Sequence, residues 1–323
     1  MKNKFNILDC TLRDGGYYNN WDFSNQIVND YLRAMSLAGI KNIELGFRSF
    51  QKRDFKGPNW YTTDSYIKSL TIPKSLKIGV MVNAFELISH PLGLLKATNL
   101  MFKKAKDNKI KFIRLACHFK EFNQTTKICD ILKKKGYFVA INLMQISEQS
   151  EEKIISVAKI AEKIKPNILY FADSLGGMDP THISELVKMF RKYWTGPLGI
   201  HTHNNLGKAI ANILAACDLG VTWVDSTVTG MGRGSGNAQT EYLLIELQRF
   251  QKEKFNILHL LKLIKKYFEP MQRKYNWGIN SYYYLAGKYG IHPTYIQEMI
   301  LMKLDESEIL VAIEQLKDSG GNK

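Results

Sequence analysis

The sequence predicts an α/β fold, a (β/α)8 TIM barrel followed by a C-terminal helical extension. Segments with the composition of buried strands alternate with amphipathic helical segments, and we count eight such units before residue 252. Eight units favour a closed barrel over an open doubly wound sheet, and the 323 residues leave room for a barrel of roughly 250 residues plus an extension. The first strand–helix turn has no Gly-x-Gly-x-x-Gly motif, which a dinucleotide-binding sheet would often carry.

The predicted strands are short apolar runs that end in polar residues. They cover residues 5–12, 41–47, 76–83, 111–117, 137–144, 167–173, 196–201 and 221–228. Helical patterns follow at residues 25–39, 91–108, 125–136, 150–164, 181–194, 206–220 and 238–251. Ser24 is placed to cap the first of these helices and Gly39 to end it. Residues 51–75, after the second strand, are ambiguous, and we expect a degraded or displaced helix there.

The part of the chain that follows the barrel pattern looks entirely helical. Residues 254–317 contain four amphipathic runs, and the last six residues form a polar, Gly-containing tail that we expect to fray. We therefore assign residues 1–252 to a TIM-barrel domain and residues 253–323 to a helical extension that covers or flanks the active site.

Composition and charge exclude several classes of protein. The formal charge of +15 comes mostly from lysines spread over helix faces, and no nucleic-acid-binding motif accompanies them, so we expect no nucleic-acid partner. We find no apolar run of about 18 residues and no signal-peptide core, so we expect no membrane span. The four cysteines lack Cys-x-x-Cys spacing, which favours free thiols in a reducing cytoplasm.

The pair His201 and His203 is the centre of the predicted site. Residues two apart on a strand project to the same side, and this pair stands where the seventh strand meets its helix. Two imidazoles at that place form half of a metal site. Taken alone the pair could also be two surface histidines. Asp14, after the first strand, adds a carboxylate, although Asp14 could simply cap the turn at Gly15 and Gly16.

Polar residues follow the other predicted strands and should meet at the same barrel end, where TIM barrels carry their chemistry. They include Arg13, Tyr17, Glu44, Arg114, His118, Asp173, Thr227 and Asn237. Alternatives remain for several: Arg13 and Glu44 could form a structural ion pair, Asp173 could cap a helix, and His118 could face solvent. The Gly-rich loop at residues 229–237 could cradle a phosphate or serve only a tight turn.

These segments together resemble the HMG-CoA-lyase-like, or pyruvate carboxyltransferase, family, also called the DRE-TIM metallolyases. The resemblance rests on "LDCTLRDGG", "IELGF", "ADSLGGM", "HTHNNLGKAIANILAACDLGVTWVDSTVTGMGRGSGNA" and "INSYYYLAGKYGIHP", which span nearly the whole chain. Within the family the sequence is most similar to the 4-hydroxy-2-oxovalerate aldolase branch, through "IRLACHFKE" and "LYFADSLGGM".

The resemblance implies a divalent metal held by Asp14, His201, His203 and Asn237, with manganese expected and magnesium or zinc as alternatives. It also implies that Arg13 stabilises the enolate oxygen formed when a carbon–carbon bond breaks. We further expect substrate contacts from residues at the barrel end and in the extension. These are Glu44, Arg114, Asp173, Thr227 and Tyr283, although Tyr283 could instead belong to an aromatic stripe that packs on the barrel.

The sequence departs from the aldolase pattern at the catalytic base. Bacterial members of that branch carry a histidine three residues after the metal-binding aspartate, and Tyr17 occupies this position here. A tyrosine is a weak base at neutral pH unless a neighbouring cation stabilises its phenolate. We assign Tyr17 and His118 as candidate catalytic groups beside Arg13, with Tyr18 or a water on the metal as alternatives.

The sequence thus predicts a metal-dependent aldolase that cleaves or forms a 4-hydroxy-2-oxo acid, with pyruvate and an aldehyde as the other partners. One rival is a Claisen-type acyl-CoA lyase or synthase, and another is a non-catalytic barrel that binds a polyanion. The second strand's "ELGFRSF" is nearer the lyase and synthase form, whereas no CoA-binding segment is evident. The resemblance also suggests an acylating aldehyde dehydrogenase as a partner, and we consider a homodimer.

Overall fold

A computed structural model describes residues 5–52, 54–248 and 254–321, and it contains a closed barrel of parallel strands in the order β1 to β8. The strands are β1 Asn6–Asp9, β2 Asn42–Phe47, β3 Lys77–Asn83, β4 Ile110–Cys117, β5 Phe138–Leu143, β6 Ile168–Asp173, β7 Leu198–Thr202 and β8 Trp223–Ser226. The predicted (β/α)8 barrel is therefore confirmed. The predicted domain boundary at residue 252 lies outside the described residues.

Helices surround the barrel and continue beyond it. They are α1 Thr11–Asp14, α2 Gly16–Asn19, α3 Asn25–Ala38, α4 Pro58–Tyr61, α5 Asp64–Ser69, α6 Ala84–Ile88, α7 Leu94–Met101, α8 Phe122–Lys134, α9 Glu151–Ile164, α10 Pro180–Arg191, α11 Ala209–Asp218, α12 Thr240–Leu247, α13 Leu258–Leu263, α14 Glu269–Tyr275, α15 Ser281–Tyr289, α16 Pro293–Leu301 and α17 Glu306–Ser319. A π-helical segment, Ile264–Phe268, joins α13 to α14.

Local sequence signals set several of these boundaries. The Ser24 hydroxyl accepts a hydrogen bond from the backbone N–H of Ile27, and Gly39 ends α3 with a φ of 91°, as predicted. The ambiguous stretch 51–75 contains only the short helices α4 and α5. The first strand ends before the predicted residue 12, because Thr11–Asp14 form the helical turn α1.

The interior of the barrel is layered. Leu8, Phe112, Ile168 and Tyr170 belong to an apolar cluster inside it. Glu44, which is fully buried, makes its ion pairs within the same interior. Burial of each large apolar side chain stabilises the fold by about 1.5–3 kcal/mol. This stabilisation offsets the desolvation free energy of the buried charges. The charged layer therefore faces the end of the barrel at which the candidate functional site lies.

The helical extension docks on that same end. Helices α15, α16 and α17 share a small apolar core of their own. The Trp277 indole N–H donates to the backbone oxygen of Thr229 at 3.1 Å, and Gly287 packs so closely on the barrel loops that an added Cβ would lie 2.9 Å from the Asn205 side chain. In the described residues we find no helix with both the length and the apolar character needed to cross a membrane.

Candidate metal centre and active site

The four side chains that the resemblance implies as metal ligands converge at the carboxyl end of the barrel. Asp14 Oδ2 lies 3.4 Å from His201 Nε2 and accepts a hydrogen bond from Asn237 Nδ2 at 2.8 Å. His203 pairs with Asn237 through an isolated backbone bridge, and its ring centroid lies 5.2 Å from that of His201. All four are buried, with exposed fractions of 6% or less.

A buried carboxylate fixes the orientation of His201. Asp225 Oδ2 lies 2.8 Å from His201 Nδ1, which leaves Nε2 directed at Asp14. Burial acts to raise the pKa of Asp225, but the Arg114 guanidinium and His201 hold that pKa at about 2. A carboxylate behind a ligand histidine is a common way to set the tautomer and basicity of the metal-binding nitrogen.

The donor set fits a divalent cation. His203 Nδ1 and Asn237 Oδ1 are buried and have no hydrogen-bond partner among the described residues, which is costly unless another group binds there. Burial, reinforced by the nearby charge of His201, keeps the pKa of His203 well below its usual value, so the imidazole is neutral and can act as a ligand. One carboxylate, two imidazoles and one amide suit a borderline-hard divalent metal.

A second group of ligand-type atoms lies beneath His201 but does not suit a cation. One such atom from each of Cys10, His201 and Asp225 lies within 4.8 Å of the others. The Arg114 guanidinium already donates to Cys10 Sγ at 3.1 Å and also pairs with Asp225. Because a positive group occupies this position, we place the metal on the Asp14 side of His201.

Arg13 connects the ligand layer to a buried ion-pair network. Its Nη1 pairs with Asp14, and its Nε donates to Glu44 Oε2 at 2.8 Å. Arg114 donates to both oxygens of Glu44, from Nε at 2.9 Å and from Nη2 at 2.7 Å. Burial opposes the charged forms of Glu44 and Arg13. The guanidinium groups of Arg114 and Arg13 nevertheless keep the pKa of Glu44 below its ordinary value. The carboxylates of Asp14 and Glu44 in turn raise the pKa of Arg13. The network is therefore ionised and rigid.

A cavity of about 170 Å³, which we call the inner cavity, opens beside the ligands. It is lined by Arg13, Asp14, Tyr17, Phe47, Ser49, Gln51, Trp60, Met81, Asn83, Glu86, Ala116, Asn142, Met144, Ala172, Ser174, His201, His203 and Arg233. Tyr17 is 38% exposed and lies with its ring 5.3 Å from the guanidinium carbon of Arg233. The cavity thus brings together a metal site, a cation at Arg13 and a tyrosine hydroxyl.

The Gly-rich loop forms a tight turn. The backbone N–H of Gly236 donates to Arg233, that of Asn237 donates to Gly230, and that of Gly234 donates to Gln297 Oε1 at 3.1 Å. These N–H groups are used within the protein and do not form a phosphate cradle. An added Cβ at Gly236, where φ is 76°, would lie 1.9 Å from the backbone oxygen of Gly230, so only glycine allows the loop to return Asn237 to His203.

None of the five expected substrate contacts is among the residues that line the inner cavity. Glu44 and Arg114 are fully buried in the ion-pair network, which reaches the cavity through Arg13. Asp173 accepts backbone hydrogen bonds from Gly177 and Met178, both at 3.2 Å, and burial raises its pKa to about 7. Thr227 is buried and anchors the Gly-rich loop through its backbone.

The remaining departures concern the extension and the proposed base. Tyr283 is 2% exposed and packs behind Gly234, so it does not reach the inner cavity. Tyr18 donates to the backbone oxygen of Gly234 at 2.9 Å, and burial raises its pKa, which argues against a role as base. His118 lines a different, neighbouring cavity. Of the candidate bases, only Tyr17 lines the inner cavity.

Sequence reasoning missed three residues of this site. Asp225 could have been found, because strand alternation places it on the same inward face as Thr227. Arg233 is the only charged residue in the Gly-rich loop, a signal that we did not use. Glu86 accepts hydrogen bonds from Ser49 Oγ at 2.9 Å and from the backbone of the β2 loop, and no sequence pattern announced that contact.

Comparisons with known proteins find one family model and several similar chains. A family model described as HMGL-like matches residues 4–265. The chain is 28% identical to the 4-hydroxy-2-oxovalerate aldolase of Carboxydothermus hydrogenoformans over all of this chain and 95% of that protein. It is 32% identical to 4-hydroxy-2-oxovalerate aldolase 4 of Rhodococcus opacus over 76% of this chain and 69% of that one. The solved N-terminal domain of a candidate aldolase from Bacteroides vulgatus superposes with a TM-score of 0.81 and 32% identity, covering 95% of this chain and 99% of that domain.

Proposed function

The chain belongs to the HMGL-like family, and from that membership we propose that it is a divalent-metal-dependent aldolase that cleaves or forms a 4-hydroxy-2-oxo acid. The observation that carries the proposal is the convergence of Asp14, His201 and His203 with Arg13 in one cavity, with Asn237 hydrogen-bonded to Asp14. Relatives with 27–32% identity that are named 4-hydroxy-2-oxovalerate aldolase support the same reaction class.

The cation would be held by Asp14, both histidines and the Asn237 amide oxygen, and we propose Mn²⁺, with Mg²⁺ or Zn²⁺ as alternatives. When bound, it would polarise the carboxylate and 2-oxo group of the substrate and favour the enolate. The four buried cysteines are all free, which supports a reducing cytoplasmic compartment. By resemblance alone, we propose an acylating aldehyde dehydrogenase as partner and a homodimeric assembly.

Arg13 stabilises negative charge as the carbon–carbon bond breaks. Its Nε and Nη1 are held by Glu44 and Asp14, and the residue lines the cavity, so Nη2 is the guanidinium nitrogen left to donate to a ligand. A preorganised charge in a water-poor site acts without having to reorient during the reaction. Arg13 therefore stabilises the enolate oxygen at C2.

In this proposal Tyr17 is the general base that accepts the proton of the C4 hydroxyl. In cleavage, its phenolate takes the proton of the C4 hydroxyl, the C3–C4 electron pair moves into the enolate, and C4 becomes the aldehyde carbon. The enolate then takes a proton at C3 to give pyruvate. The guanidinium carbon of Arg233 lies 5.3 Å from the Tyr17 ring centroid, so a positive charge stands beside the ring.

The test is pyruvate release from 4-hydroxy-2-oxopentanoate, with Mn²⁺ and after chelation, for the wild type and for Asp14→Asn. A metal contributes several kcal/mol of transition-state stabilisation, so we expect a loss of about 10³-fold in the variant and near-complete loss after chelation. Asp130→Asn, an exposed carboxylate on α8, is the matched control and should keep wild-type activity. Pyruvate release that survives both chelation and Asp14→Asn would contradict the proposal. CoA-thiol release from acetyl-CoA and a 2-oxo acid would favour the Claisen-type alternative.

A further inference from the structure

A second cavity of about 900 Å³, which we call the outer cavity, lies at the same end of the barrel. His118 and Gln145 contribute to it from the loops after β4 and β5, and Ser156 contributes from α9. His292 and Tyr295 close it from the extension. The cavity therefore exists only because the extension docks over the barrel.

The two cavities are adjacent at the ends of two barrel strands. At the end of β4, Ala116 lines the inner cavity and His118 lines the outer one. After β5, Met144 lines the inner cavity and Gln145 lines the outer one. The backbone N–H of Gln145 donates at 2.9 Å to the hydroxyl of Ser174, which itself lines the inner cavity. Neighbouring residues of the same two loops therefore face the two cavities.

Two further features concern the residues where the two cavities meet. Gln145 has φ 52° and ψ 49°, a left-handed conformation that is uncommon for residues other than glycine. His292, in the outer cavity, has its pKa lowered to about 3 by burial and further by Arg233, which lines the inner cavity. The positive charge of Arg233 in the inner cavity therefore acts on His292 in the outer cavity.

The volumes of the two cavities suggest which part of the substrate each one can hold. Pockets for drug-sized ligands measure roughly 300–1,000 Å³, so the inner cavity, at about 170 Å³, suits little more than a small 2-oxo acid beside its metal. The outer cavity, at about 900 Å³, is far larger than a two-carbon aldehyde requires. Space of this size beside the reacting carbon suits a long aldehyde half.

Polar groups that can bind hydroxyls line the outer cavity, beside an apolar part that includes Phe122 and Val157. The amides are those of Asn123, Gln145 and Gln149, the carboxylate is that of Glu298, and the ammonium groups are those of Lys120 and Lys153. Ammonium groups donate hydrogen bonds to hydroxyl oxygens. Tyr295 adds an aromatic face. Amides and carboxylates both accept hydrogen bonds from hydroxyls, and an aromatic face packs on the C–H side of a hydroxylated chain or ring.

We propose that the outer cavity binds the aldehyde half of the substrate, and that this half is a polyhydroxylated aldehyde of about monosaccharide size. This inference rests on the proposed aldolase function. In the condensing direction, C3 of pyruvate loses a proton and forms a bond to the aldehyde carbon, and the aldehyde oxygen gains a proton to become the C4 hydroxyl. The hydroxyls further along the chain then lie in the outer cavity.

The test compares condensation of pyruvate, with Mn²⁺, on matched aldehydes: glyceraldehyde against propanal, and open-chain arabinose against pentanal. We expect kcat/KM to favour the hydroxylated member by about 100-fold, because cavity groups that are built for hydroxyls are left unpaired by the plain chain. Ser156→Trp fills the outer cavity from an exposed helix position, and it should lower the arabinose-to-acetaldehyde ratio of kcat/KM by about tenfold. Lys163→Trp, exposed on the same helix and lining neither cavity, is the control and should leave that ratio unchanged.

The outcomes separate the inference from the function on which it rests. Equal or better turnover of plain aldehydes, with no effect of Ser156→Trp on the ratio, would overturn the inference and leave the aldolase in place. Failure of every aldehyde, acetaldehyde included, would remove the proposed function and this inference with it.

Discussion

The inner and outer cavities are neighbours, yet different parts of the protein build them. The inner cavity stands on the barrel strands, and buried charges fix its side chains: Arg13, Glu44, Arg114 and Asp225 form one continuous ion-pair network. The outer cavity lies between the barrel and α16 of the extension, and several of its lining side chains are exposed. Buried ion pairs therefore hold the inner cavity in place, whereas the outer cavity depends on how the extension packs over the barrel loops.

Among the further changes to the inner cavity, replacing the Tyr17 hydroxyl should lower catalytic activity the most. Because general base catalysis contributes about 10²–10⁴-fold, we expect Tyr17→Phe to lower kcat by at least about 100-fold with little change in KM. Steady-state pyruvate release measures this effect.

Tyr284→Phe serves as the matched control for the loss of a hydroxyl, because Tyr284 is 43% exposed on α15 and lines neither cavity. If Tyr17→Phe retained wild-type kcat, another group would be the base, and the inner cavity would not contain all of the chemistry.

Removing the negative charge behind His201 should have a smaller but still clear effect. Asp225→Asn leaves Arg114 without one of its carboxylates and removes an acceptor from His201 Nδ1. Changes behind a ligand histidine cost about 10–100-fold in metal affinity or activity, and we expect an Mn²⁺ affinity reduced by that factor in calorimetric titration. Asp218→Asn, an exposed carboxylate on α11, should bind Mn²⁺ as the wild type does. Unchanged Mn²⁺ affinity in Asp225→Asn would mean that another group orients His201.

The inner cavity is built by barrel strands and the outer cavity by the docked extension, and this difference decides how well the sequence predicts each. Strand alternation brings His201 and His203 to one side, and Asp14 follows the first strand, so the metal site is accessible to local reasoning. Asn237 needed the resemblance, because only the folded Gly-rich loop carries it back to His203. The outer cavity could not be predicted, because it depends on how α16 docks over distant loops, and no local pattern encodes that docking. The sequence therefore gave no sign that His118 would line the outer cavity.

The ion-pair network also predicts how stability depends on pH. The pKa of Asp225 is lowered to about 2 in the folded protein, against about 3.9 in an unfolded chain. A lowered carboxylate pKa contributes stability that is present above the unfolded value and is lost as the pH falls through the folded value. We therefore expect Asp225 to contribute about 2–3 kcal/mol at pH 7, and this contribution should disappear between pH 4 and pH 2.

Urea unfolding of the wild type and of Asp225→Asn across pH 7 to pH 2.5 tests this contribution. The difference in unfolding free energy between the two proteins should shrink as the pH falls below 4. A difference that stayed constant over the whole range would show that the carboxylate charge does not stabilise the fold.

The smallest predicted effect concerns the contact that joins the two regions. Gln297 on α16 accepts the backbone N–H of Gly234 at 3.1 Å, while Tyr18 donates to the backbone oxygen of the same glycine at 2.9 Å. Gly234 lies between Arg233, which lines the inner cavity, and Asn237. Gln297→Ala removes one buried hydrogen bond, for which we expect a loss of about 1 kcal/mol in unfolding free energy and a weakening of Mn²⁺ binding by no more than about fivefold. Gln297→Glu keeps an acceptor oxygen at this position and should restore both quantities. If Gln297→Ala matched the wild type in Mn²⁺ affinity and stability, the extension would shape the outer cavity without influencing the metal site, and the two cavities would be independent in energy as well as in origin.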